Sequence, residues 1–277
     1  MLSRNPVQLE EESQVIVDDK IAAKSWRVKP RVWIGVAIWA GYVLLVYAIQ
    51  VAVGVPYDQL GQSGSNLFWG AGFSLIVATV LLAATTSILG WWKPALFDRA
   101  RSRHRWPIIA PFLMAAALLI NLISTDWGSF DLAFLAAAIA LILVGFTEEM
   151  ATRGLLLVGL RARFGEGWVW FLSSAMFAVM HLTNILLGAP VAGTVQQLGL
   201  AFVGGTVFYI LRRTTGTLIW AMLLHGLWDF STFAVTHGTP STLAPVGNLT
   251  NIIAGLLALV VVAFVIRGSD ERITRGK

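Results

Sequence analysis

Beyond residue 32 the chain runs in long apolar stretches separated by short polar ones. Eight of them approach the length of about 17–25 residues that carries a helix across a bilayer. They lie at about 33–53, 67–90, 107–124, 131–150, 168–187, 194–211, 217–236 and 249–266, with ends placed to about two to four residues. Trp33, Trp91, Trp92, Trp106, Trp127 and Trp168 fall at the ends of these stretches, where interfacial anchors belong. The pattern predicts an all-α, polytopic membrane helix bundle of about eight transmembrane helices. It divides into a polar tail over 1–32, three N-terminal transmembrane helices over 33–124, a core over 131–236, and a last transmembrane helix with a basic tail over 249–277.

Charge then gives the bundle a direction. Of the 20 Lys and Arg, six lie in the N-terminal tail, five in 90–106, three in 150–167, two in 212–216 and four after residue 266. The alternate connections, 54–66, 125–130, 188–193 and 237–248, hold none. By the positive-inside rule both termini are expected in the cytoplasm, in a multi-pass protein of the cell inner (plasma) membrane. The same distribution accounts for a pI near 9.9 without nucleic acid as a partner. The run Arg99 to Arg105 reads as a topology signal, and membrane lipids are the expected surroundings. Residues 1–32 combine Glu10-Glu11-Glu12 with Lys24, Arg27, Lys29 and Arg31, the mixture of a solvated tail. They contain no apolar core of a signal peptide, so the first span is expected to act as an uncleaved anchor.

Composition agrees: 57% of the 277 residues are hydrophobic and 13% charged, against about 25% charged in a soluble domain. With no cysteine, a disulfide framework, thiolate metal ligands and a cysteine nucleophile are excluded. No matched pair of broken spans suggests an inverted-repeat transporter.

Few ionisable groups fall within these spans. The fourth ends with Glu148 and Glu149, the fifth holds His181, and the seventh holds His225 and Asp229. Charges at membrane depth are expensive, so such groups are expected to find one another. Glu149 and Arg153 are i,i+4 on one helix face, while Glu148 points about 100° away and is left for chemistry. At 1.5 Å per residue His225 lies roughly 12 Å, Asp229 roughly 18 Å and His181 about 20 Å from the cytoplasmic starts of their spans. The groups are therefore expected to meet in the inner half of the membrane, around a cavity open to the cytoplasm. A carboxylate of this kind suits a general base. His181 would help polarise water, and His225 with Asp229 would stabilise an oxyanion. For Asp229 that requires either a protonated carboxyl or action through His225. Glu148, His181 and His225 also fit a zinc site of two histidines and a carboxylate with one open position, so a divalent metal is an alternative cofactor. Amide hydrolysis by activated water follows under both. Gly61-Gln62-Ser63-Gly64 imitates a serine-peptidase motif but reads as a turn.

Glu148-Glu149-x-x-x-Arg153-Gly154, Phe177-x-x-x-His181 and His225-x-x-x-Asp229 together resemble the three ordered motifs of the CAAX prenyl protease and bacteriocin-processing (CPBP, or Abi) intramembrane peptidase family. The resemblance covers about 131–236. It implies an intramembrane endopeptidase acting on a membrane-associated or lipidated protein or peptide, with Glu148 as base and His181 assisting. It also implies oxyanion stabilisation by His225 and the residue at 229, with Glu149, Arg153 and Phe177 in support. Two positions depart from the family pattern: Thr152 replaces an aromatic, and Asp229 stands where Asn is common. The rival readings are a proton-linked membrane carrier using the same groups as a relay, and a non-catalytic scaffold or bacteriocin-immunity protein.

Overall fold

The computed structural model describes residues 26–239, 241–269 and 271–273, so most of the tail expected over 1–32, and Arg275 and Lys277, lie outside the described residues. The expected bundle is present. Seven helices are long and apolar enough to cross a membrane: α1 (Val32–Val53), α2 (Gly64–Leu89), α3 (Trp106–Ser124), α4 (Leu132–Arg161), α5 (Glu166–Leu186), α6 (Val191–Thr215) and α8 (Ala244–Ile266). Between the last two runs α7 (Ile219–Thr236), whose apolar character is lowered by His225 and Asp229. Among the described residues there is no strand, only an isolated bridge between Phe97 and Thr217. Large apolar side chains such as Ile123, Leu132 and Val260 stay exposed on the outside of the bundle, as lipid-facing positions do. The chain is a multi-pass membrane protein.

Local sequence fixes the helix ends. Ser63 caps α2 by accepting from the Asn66 amide at 3.1 Å, so the imitation serine motif, read as a turn, is the end of a 3₁₀ helix (Tyr57–Gln62) and the cap of α2. Asp131 caps α4 by accepting from the Phe134 amide at 2.7 Å. Gly216 ends α6 in the left-handed conformation, φ 80°, which an L side chain resists.

Two expectations about span ends are corrected. The fourth helix does not stop at 150: α4 continues through a π-helical stretch, Met150–Leu156, to Arg161. Glu148 and Glu149 thus sit near the middle of a 30-residue helix rather than at its end. Arg153 lies inside α4, and Arg212 and Arg213 lie in the last turns of α6, all three buried. The apolar windows used to place the spans ended too early because these arginines diluted them.

α7 packs between α3 and α4, α8 lies along α3 and α6, and α1 crosses the later half of α4. The closest approach matters most for function. Gly145 on α4 faces Met222 and Gly226 on α7, and Gly226 faces the Ile142 carbonyl. A Cβ at either glycine would run into the partner helix's backbone, which has no rotamer with which to yield. The two glycines let the helix bearing Glu148 and Glu149 touch the helix bearing His225. Gly145→Ala is therefore expected to destabilise the protein by about 1–3 kcal/mol, as overpacking does, and to lower activity further by spreading these residues. Thermal unfolding in detergent, compared with Gly41→Ala, where the added Cβ meets open space, measures it.

Candidate active site

α4, α5 and α7 bring the predicted groups together. Arg153 pairs with Glu149 at 2.7 Å, both side chains fully buried. The same Glu149 oxygen, Oε1, also receives the Nδ1 side of the His225 ring at 3.1 Å. Since a paired carboxylate only accepts, His225 Nδ1 is the donor. The opposite ring nitrogen, Nε2, faces Glu148 Oε2 at 3.8 Å and Asp229 Oδ2 at 3.6 Å. Glu148 Oε2 is buried yet accepts no hydrogen bond from any described residue. Glu148 is thus turned inward, with an imidazole beside it.

The second imidazole joins through an aromatic wall. Phe177 stands edge-on to both His181 and His225, with ring centroids 5.3 and 5.4 Å away. Its own face carries the Arg153 guanidinium, 3.9 Å from the centroid. His181 Nδ1 donates to the Phe177 carbonyl at 2.9 Å, leaving Nε2 as the free nitrogen. Glu148, Glu149, Arg153, Phe177, His181, His225 and Asp229 therefore belong to one constellation.

Several participants carried no readable signal. Phe208 on α6 stacks on the His225 ring, with centroids 4.6 Å apart and the planes 22° from parallel. Gly205, one turn before it, leaves room for the Arg153 guanidinium. Tyr42 on α1 donates to Thr147 at 3.3 Å beside Glu148. Glu149 does more than support its helix, because it holds His225.

Two cavities meet at these residues. One, of about 430 Å³, is lined by Phe177, His181, Phe208, His225, Trp228 and Asp229, and then by Gln196, Gln197, Asn248 and Asn251. The other, of about 130 Å³, is lined by Glu148, His181, Tyr42, Gln50 and Asn184. His181 borders both. Gln196 and Gln197 line the larger cavity, and Gln197 also accepts from Asn184 of α5 at 3.0 Å. The cavities do not lead to the end bearing the Lys- and Arg-containing loops, where the opening was expected. Gln50 is near the end of α1, Gln196 near the start of α6, Thr232 near the end of α7 and Asn248 near the start of α8. Both cavities therefore run toward the end of the bundle whose loops lack Lys and Arg.

A metal does not fit this arrangement. A zinc site needs Glu148, His181 and His225 to converge on one point, whereas Glu148 approaches His225 Nε2 at 3.8 Å and, among the described residues, makes no such approach to His181. Among the described residues no group of three or more His, Asp or Glu side chains could hold a metal ion.

The fold and site define a multi-pass helical membrane protein with a carboxylate–imidazole cluster at the junction of two internal cavities. Residues 129–231 match the family model of type II CAAX prenyl endopeptidase, Rce1-like. This agrees with the resemblance carried by the three motifs, and the matched segment contains every residue of the cluster. The matched stretch is a little over a third of the chain, and over it the chain is similar to a family of CAAX-type intramembrane proteases. No curated protein matches the chain.

Proposed function

We propose that the cluster hydrolyses a peptide bond of a membrane-associated or lipidated protein or peptide, with Glu148 activating the water. The observation that carries this reading is the pairing of an unbonded, inward-facing Glu148 oxygen with an imidazole whose far side is fixed by a carboxylate. Glu148 takes a proton from water as its oxygen attacks the carbonyl carbon. His181, held by its Nδ1 bond to Phe177, offers Nε2 to the second water hydrogen. The negative charge that develops on the carbonyl oxygen is met by His225, whose protonated ring donates from Nε2 while Glu149 holds Nδ1. Arg153 balances Glu149, so a buried carboxylate can serve there at lower cost. The C–N bond then breaks, and the proton on Glu148 passes to the leaving nitrogen. Asp229, facing His225 Nε2, acts through that ring rather than as a direct donor.

The test is cleavage by the purified protein in lipid vesicles that also hold a mixture of membrane-anchored peptides, read by mass spectrometry as new amino termini. Wild type is expected to generate them, and Glu149→Gln, which weakens the hold on His225, is expected to lower kcat much more than it raises KM. A protein that creates no new termini in any peptide, yet moves protons along a pH gradient, would overturn the reading in favour of a carrier.

A further inference from the structure

The two ends of the bundle are built differently. At the end bearing the Lys- and Arg-containing loops, Asp98 pairs with Arg161 at 2.8 Å, Arg212 at 2.9 Å and Arg213 at 2.6 Å. Arg161 also pairs with Glu166 at 2.5 Å, and Arg213 with Glu271 at 3.1 Å. The three guanidiniums and three carboxylates balance, and all six side chains are buried. They join the 90–105 connection, the ends of α4 and α6, the start of α5 and the segment after α8 into one packed layer. At the opposite end there is no such layer among the described residues. There the two cavities lead outward past Gln50, Asn184, Gln196, Gln197, Asn248 and Asn251.

These amides suit a peptide. A carboxamide presents a donor and an acceptor together, as a peptide backbone does, and carries no charge to exclude either partner. One of them has a fixed orientation: Asn184 donates to Gln197 Oε1 at 3.0 Å, which directs the Gln197 NH₂ elsewhere. Asn248 and Asn251 come from α8, beyond the segment that matches the family model.

We infer that the substrate reaches Glu148 and His225 from the end opposite the Lys- and Arg-bearing loops, and that the amide-lined cavity receives its backbone. Because positive loops stay in the cytoplasm, that end faces away from it. The access route stands on the cavities and the loop charges alone, whereas the substrate's passage along it rests on the peptidase reading.

The chain has no cysteine, so single cysteines report access without further engineering. Asn248→Cys and Gln196→Cys place a thiol at the cavity mouth, and Arg103→Cys places one in the 90–105 connection. Each is exposed to a charged, membrane-impermeant maleimide in right-side-out cells and in inverted membrane vesicles. The mouth cysteines are expected to react in the cells and not in the vesicles, and Arg103→Cys the reverse. Reaction of both mouth cysteines only in inverted vesicles, or on the same side as Arg103→Cys, would overturn the access route. In the same preparations, membrane-anchored peptides that wild type cleaves are expected to slow maleimide labelling of Asn248→Cys and not that of Arg103→Cys. Labelling of Asn248→Cys at an unchanged rate in the presence of those peptides would overturn the substrate route while leaving the peptidase reading in place.

Discussion

Glu148→Gln is expected to lower peptide-bond cleavage by roughly 10²–10⁴-fold, the usual contribution of a positioned general base, while the bundle stays assembled. Glu148 Oε2 accepts no hydrogen bond from the described residues, so an amide of the same shape breaks none there. Its neighbour behaves oppositely, because Glu149 holds both Arg153 and His225 and any change there disturbs three side chains. A glutamine at 148 still fills the same space, but its amide cannot take a proton from water. Initial rates of cleavage in lipid vesicles, with thermal unfolding measured on the same samples, separate the two effects. Equal rates for the variant and wild type would remove Glu148 from the chemistry. A lower melting temperature with an unchanged rate would assign it a packing role.

The contrast between these adjacent glutamates shows where sequence reasoning succeeds. That Glu149 and Arg153 share a face follows from helical periodicity, and so does the different direction of Glu148. Sparse charge in an apolar background marked His181, His225 and Asp229, since only a shared polar site makes such groups tolerable in lipid. Contacts between distant segments were not legible. Nothing local says that Phe208 stacks on His225, that Gly145 meets Gly226, or that Asn248 reaches the same cavity as His181. Hydropathy also misplaced Arg153, Arg212 and Arg213, because it treats each charge as a cost and cannot see the partner that offsets it. Arg212 illustrates this: its guanidinium is satisfied by Asp98 and by the carbonyls of Ala95 and Pro94, and it also bonds the Arg153 carbonyl within the π-helical stretch of α4.

That last set of contacts makes Asp98 the other position of large expected effect. Burial alone would raise the Asp98 carboxyl, but the guanidiniums of Arg161, Arg212 and Arg213 outweigh it and hold the group well below its ordinary value. Asp98→Ala leaves three buried guanidiniums facing two carboxylates, and breaking a buried pair in this way costs about 3–5 kcal/mol. Replacement by Asn keeps the shape but not the charge, so it is expected to fall between wild type and Ala. The pH dependence has a definite sign. A carboxyl whose folded value is depressed contributes fully above its unfolded value of about 3.9, and that contribution is lost as pH falls below it toward the folded value. Wild type is therefore expected to lose stability on acidification below about pH 4 more steeply than Asp98→Asn, which has no proton to gain at this position. Thermal unfolding in detergent at a series of pH values measures both effects, and parallel curves for the two proteins would show that the ion cluster contributes nothing through Asp98. Because Arg212 links Asp98 to the Arg153 carbonyl, the Ala variant is also expected to lose activity at temperatures where it is still folded. Glu148→Gln, by comparison, is expected to lose activity alone.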